Sequence, residues 1–227
     1  MAIIEMMLPE YICTLPISKT VVKYRPFTVK EEKVLLLAKE EQNTEMMLTS
    51  MNQIFNNCTF GKISIDNINK IDAEYLFLQL RCKSIGEGID IKGICEECGV
   101  KTPLLMDLTT AFVAGELKIE PIEIMKDIWL TMKVPSLKDS LRLKEGDDIL
   151  AIAMSLDTII EGENVKHASD YTEQERIELI ESLMNSQLVK LTQFYKNFPI
   201  LTIDIEYTCK CEHKNKIHIE GIDNFFA

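Results

Sequence analysis

A chain of 227 residues, 46% hydrophobic and 27% charged, is long enough to bury a core without disulfide staples. Its net charge of −11 and pI near 4.9 set up a field that repels nucleic acid and anionic lipid, which disfavours nonspecific nucleic-acid binding and points to proteins as partners. No apolar run reaches the roughly 18 residues of a membrane span, and the opening MAIIEMMLPEY carries Glu5 and Glu10 where a signal peptide would be basic and then apolar.

Residues 1–27 read as an extended N-terminal arm: Pro9, Pro16 and Pro26 punctuate it, and proline fixes φ and removes a donor. From Thr28, TVKEEKVLLLAKEEQ predicts a helix with a threonine cap, an acidic first turn and a Val34, Leu37, Ala38 stripe. A second helix is expected over 45–57, where Met47, Met51, Ile54 and Phe55 fall at helical spacing. A third, DAEYLFLQLRCKS, would be capped by Asp66 or Asp72 and would end before Gly86 and Gly88. A cysteine-bearing hairpin follows over 89–112.

Beyond it, IWLTMKVPSL at 128–137 alternates as a strand whose end Pro135 confines to an edge. A helix over 147–160 is expected between Gly146 and the turn at 161–164. The stretch DYTEQERIELIESLMNSQLVKLTQFYKNFP reads as one long helix or two broken ones, with Thr172 and Glu175 forming a capping box and Pro199 as the stop. A second cysteine hairpin then covers 203–226. The expected fold is α+β, with two helix-plus-β-hairpin halves forming an internal pseudo-repeat: 28–115, ending in the first cysteine hairpin, and 116–227, made of a linker strand, a helical segment and the second hairpin.

The hairpins carry the only motif with specific chemistry. Ile89 stands six residues before Cys95, as Ile203 does before Cys209, and the loop Cys95-Glu-Glu-Cys98 is shortened by one residue to Cys209-Lys-Cys211. A CxxCG turn between strands is a zinc-ribbon-like knuckle, aiming two thiolates and several backbone amides at one metal. One knuckle is half a site. The second hairpin could complete it with Cys209 and Cys211, or with one of them and His213, and zinc would then tie together chain segments more than 100 residues apart. The other reading is that both turns merely pack, as relics of metal sites. Seven cysteines, an odd number, favour reduced thiols or a metal over a disulfide framework. Cys13, Cys58 and Cys82 lie in apolar or helical contexts and read as core, while His167 in a polar loop and His218 on a strand have no evident partner.

No GxxxxGK[ST], GxSxG or HExxH occurs, the glycines of GEGIDIKG lack phosphate-loop spacing, and the acidic pairs Glu40/Glu41 and Asp147/Asp148 sit at helix ends. No residue is nominated for catalysis, so a non-enzymatic protein is expected.

The segment LPISKTVVKYRPFTVKEEKVLLLAKE at 15–40 resembles the opening of the baseplate hub assembly proteins of T-even-like, contractile-tailed bacteriophages. DAEYLFLQLRCKSIGEGI and the closing QFYKNFPILTIDIEYTCKCEHKNKIHIEGIDNFF are similar to the middle and end of the same family, whose last knuckle usually reads CxxCG where this chain has CKCEH. The resemblance implies a virus-encoded hub component or assembly chaperone. It would work in the host cytoplasm during tail assembly, or stay in the virion as part of the tail baseplate. Its partners would be other baseplate hub proteins and the tape-measure protein, with neither nucleic acid nor membrane insertion involved. Within the arm, Leu15, Pro16, Tyr24, Arg25, Pro26 and Phe27 are the expected contact element, because aromatics and arginine dominate interface energies and extended arms add to a partner's edge or groove. The competing reading is that Tyr24 and Phe27 staple the arm to its own first helix. A rival function, a zinc-ribbon regulator holding polymerase or nucleic acid, would need a basic ribbon face. The first hairpin offers only Lys92 and Lys101 among Asp90, Glu96, Glu97 and Asp107.

Overall fold

The structure, a computed structural model, describes residues 7–40, 44–144 and 146–221. The expectations for 1–6, for helix continuing over 41–42 and for the end of the second hairpin at 222–226 lie outside the described residues. The fold is mixed helix and strand. Its elements divide between two compact units, one made of 1–64, 71–114 and 200–227, the other of 65–70 and 115–199. Both cysteine hairpins fall in the first of these units.

The first unit opens with β1 (Tyr11–Thr14) and β2 (Val21–Tyr24), an antiparallel pair pairing Tyr11 with Tyr24 and Thr14 with Val21. Residues 11–24 of the segment expected as an extended arm are therefore a hairpin within the first unit. Proline at 16 and the positive φ of Lys19 (57°) turn the chain between the strands. The backbone N–H groups of Ile17 and Ser18 donate to the fully buried Asp72 carboxylate at 2.7 and 2.9 Å, which seats the turn. Helix α1 (Val29–Glu40) begins as expected at Thr28, whose N–H and hydroxyl donate to Glu31 at 2.8 and 3.0 Å. Helices α2 (Thr44–Cys58) and α3 (Lys70–Ser84) follow their apolar spacing closely. Asp72 sits inside the first turn of α3 rather than capping it.

Strands β3 (Gly88–Ile94) and β4 (Lys101–Asp107) form the first cysteine hairpin. β5 (Phe112–Ala114) then pairs with β10 (Ile200–Thr208), which pairs in turn with β11 (Lys214–Glu220) in the second. Leu78 and Cys82 of α3, Met106, Leu108, Leu201 and Ile203 make the core beneath these strands. Burying apolar surface at about 25 cal/mol per Å² drives this packing. Cys58 and Cys82 are core residues, as expected.

The second unit holds a four-stranded antiparallel sheet, β6 (Ile122–Met125), β7 (Ile128–Met132), β8 (Leu156–Glu161) and β9 (Asn164–His167), in chain order. It also holds helices α4 (Leu137–Arg142), α5 (Asp148–Ser155), α6 (Glu173–Glu181) and α7 (Asn185–Lys196). The helix expected over 147–160 stops at Ser155. Thr158, Ile159 and Ile160 are β-branched and pair with Thr131, Leu130 and Trp129, and the Thr131 and Thr158 hydroxyls bond at 2.6 Å, so cross-strand pairing outweighs the helical reading of a short apolar run. His167 accordingly ends a strand rather than lying in a loop. The long expected helix breaks into α6 and α7, and the Thr172/Glu175 capping box forms in both directions. Leu130, Met132, Ile152, Leu156, Ile180 and Leu191 centre this unit's core.

Candidate metal centre

Both cysteine turns are shaped by the same backbone device. In the first, Cys95 N–H donates to Val100 O at 3.1 Å and Gly99 N–H returns to Cys95 O at 2.9 Å. In the second, Cys209 N–H donates to His213 O at 2.9 Å and Glu212 N–H returns to Cys209 O at 2.9 Å. The residue after the second cysteine has positive φ in each, 69° at Gly99 and 65° at Glu212. The shortened loop thus reproduces the hydrogen-bonding of the first turn with one residue fewer. It does so at the cost of placing a non-glycine residue in the left-handed region, uncommon for side chains other than Asn or Asp.

The turns face each other within the first unit. Cys95 Sγ lies 3.7 Å from Cys211 Sγ, Cys98 Sγ lies 3.6 Å from Cys209 Sγ, and all four sulfurs are within 4.8 Å of one another. A tetrahedron with metal–sulfur bonds of about 2.3 Å has edges of about 3.8 Å, whereas a disulfide needs about 2.0 Å. The spacing fits four ligands of one ion. Cys95 and Cys209 are buried, while Cys98 and Cys211 are exposed. Among the described residues this is the one cluster of cysteine, histidine and carboxylate groups with metal-binding spacing. His213, the alternative ligand, is outside it, and its carbonyl is taken by the Cys209 and Asn215 N–H groups.

Electrostatics agree with the geometry. The backbone N–H of Cys98, followed by the Glu97 N–H and the Asn215 side chain, brings the Cys95 thiol down to about 6 against the pull of burial. The Val100 N–H favours the Cys98 thiolate, yet the Cys211 and Cys209 sulfurs beside it push that thiol up to about 12. Four thiols packed together resist sharing negative charge, the situation a dication relieves.

Two residues that the sequence reading passed over complete the surroundings. Asn215, buried on β11, donates to Cys95 Sγ at 3.6 Å and accepts from the Glu96 N–H at 3.0 Å. Tyr207, directly opposite it on β10, lays its ring on Gly93, where a Cβ would stand 2.8 Å from the ring carbon that bears the hydroxyl. Their signal in the sequence is alternation alone: Tyr207 is two residues before Cys209 and so shares its strand face.

The expected contact element turns inward. Leu15 and Tyr24 are each 2% exposed and Phe27 is 7% exposed, while Pro26 is buried and Pro16 half-buried. Arg25 grips Glu31 through two bonds of 3.0 and 2.8 Å, and Arg25 N–H donates to Cys58 O at 2.9 Å. The Arg25 side chain, with the Thr28 donors, holds the Glu31 carboxyl at about 2. The YRPFTVKEE segment is thus tied to the start of α1 through Arg25, Thr28 and Glu31, and Phe27 N–H donates to Ser84 Oγ of α3 at 2.9 Å. The large apolar side chains that this hairpin exposes are Ile12 and Val21, 70% and 63% exposed. His218, expected to stand alone, lies 2.6 Å from Asp204 and 2.9 Å from Glu220, and these carboxylates raise its pKa.

Among known proteins, residues 8–227 match the family described as T4 bacteriophage base plate protein. The chain is 24% identical over 225 residues to Baseplate hub assembly protein gp26 of Enterobacteria phage T4, with 96% of this chain and 98% of that protein covered. No solved structure matches it.

Proposed function

The chain belongs to the T4 bacteriophage base plate protein family, and from that premise we propose that it is a non-enzymatic factor in assembly of the tail baseplate hub, working through protein contacts in the host cytoplasm. The observation that carries this reading is the extent of the family match, which runs from residue 8 to the last residue. Other baseplate hub proteins are the first partners, and the tape-measure protein is the second. The role expected of the 15–27 segment passes to what its hairpin leaves outside, Ile12 and Val21, since Leu15, Tyr24 and Phe27 are spent on the core. A strongly acidic chain in which no described helix is long and apolar enough to cross a membrane suits partners that are proteins.

The two cysteine turns are read as one duplicated knuckle, with Cys95, Cys98, Cys209 and Cys211 holding a structural Zn2+ in a closed four-sulfur site. Bound there, zinc would supply a fixed tetrahedral link and no open coordination position. The nucleic-acid-binding alternative is disfavoured by the net charge of −11.

A phage carrying a stop codon in this gene tests the assembly role. The account expects normal head numbers but few complete baseplates and tails by electron microscopy, with rescue by the plasmid-borne gene. Normal tails without the protein would contradict it.

A further inference from the structure

A four-sulfur site needs donors around it as much as ligands in it, because hydrogen bonds to thiolate sulfur orient the ligands and spread their charge. The first turn supplies its own amides, but the sulfurs come from two hairpins that must arrive in register before any ion joins them. One cross-strand pair spans that gap. Tyr207 and Asn215 are opposite each other on β10 and β11, the strands that carry the second turn, and both reach to the first. Asn215 uses both ends of its amide there, accepting from Glu96 N–H at 3.0 Å and donating to Cys95 Sγ at 3.6 Å, with a further bond to His213 O at 3.1 Å on its own turn. Tyr207 presses its phenol end onto the backbone of Gly93, two residues before Cys95. Its hydroxyl is buried and has no hydrogen-bond partner among the described residues. An unpaired buried hydroxyl is costly, so its placement calls for an acceptor, and metal-bound thiolates would be strong ones.

We propose that Tyr207 and Asn215 are positioning residues that preset the two knuckles and donate hydrogen bonds to the thiolates of the metal centre. This rests on the zinc reading above and goes beyond it, since four cysteines alone would bind an ion without them. A polar pair on the buried face of a hairpin is otherwise an unexplained cost. Here it serves as a clamp that couples one half of the ligand set to the other. Gly93 follows from the same arrangement, because any side chain there would collide with the Tyr207 ring and Leu104.

The test uses the full-length chain, reduced and anaerobic, loaded with Zn2+ or Co2+. Asn215→Leu removes donor and acceptor at similar volume, and Tyr207→Phe removes one oxygen. The account expects the parent and both variants to give a four-sulfur cobalt spectrum. Zinc affinity by chelator competition should fall roughly 10- to 100-fold in Asn215→Leu and about tenfold in Tyr207→Phe. The sulfur-to-cobalt charge-transfer band should move to lower energy in both, a change that looser packing alone would not produce. Unchanged affinity and band position in Tyr207→Phe, the variant least able to disturb folding, would overturn the proposal while leaving the zinc reading intact. Absence of metal binding by the parent would overturn both.

Discussion

The Leu15–Phe27 segment and the cysteine turns are the two most conspicuous stretches of this sequence, and the fold treats them in opposite ways. The first is rich in residues that dominate interfaces, yet Tyr24, Phe27 and Leu15 are sealed in the core and Arg25 is held by Glu31. The second is short and polar, and it gathers four thiol side chains from distant segments, two of them exposed. Burial distinguishes a staple from a site: a staple uses up its groups on its own chain, whereas a site leaves groups converging with valence to spare.

Substitutions should reproduce that contrast. The largest effect is expected from Cys95→Ser or Cys209→Ser, since a structural zinc couples on the order of 10 kcal/mol to folding in small domains. Either change should abolish metal binding and lower the thermal midpoint of the metal-loaded protein far more than that of the stripped protein. If both lose equally, the cysteines are only packing. Next is Tyr24→Ala, which empties a fully buried aromatic position and should cost about 3–5 kcal/mol in denaturant unfolding regardless of metal. A smaller, pH-dependent loss belongs to Glu31→Gln. The folded carboxyl titrates at about 2 against an ordinary 4.5, so its contribution is full above 4.5 and disappears as pH falls towards 2. At neutral pH the variant should be about 2–3 kcal/mol less stable than the parent, and their melting curves should converge on acidification. A constant difference would place the effect elsewhere. The smallest is Gly93→Ala, expected to cost about 1–2 kcal/mol because a Cβ there meets Tyr207 and Leu104 at 2.8 Å.

Much of this was legible from the chain alone. Helices α1, α2 and α3 follow from apolar spacing and caps, as does the Thr172/Glu175 start of α6, because those signals are local. Both cysteine hairpins were readable for the same reason. Reading failed where long-range pairing decided. Residues 156–160 look helical until Thr131 and Trp129 pair with them, and residues 11–24 look like part of an extended arm until they pair as a hairpin whose turn amides go to Asp72, far along the chain. The four clustered cysteines were legible in the sequence. That His213 lies outside the cluster and that Asn215 bonds across to the first turn depend on how two hairpins meet, which spacing within either one does not encode.

Counting metal on the purified chain tests the central claim most directly. Native mass spectrometry should find one zinc per chain in the parent and none in either Cys95→Ser or Cys209→Ser. Zinc retained when one hairpin loses its cysteine, or a parent that carries none after expression with zinc supplied, would contradict a centre shared by the two turns.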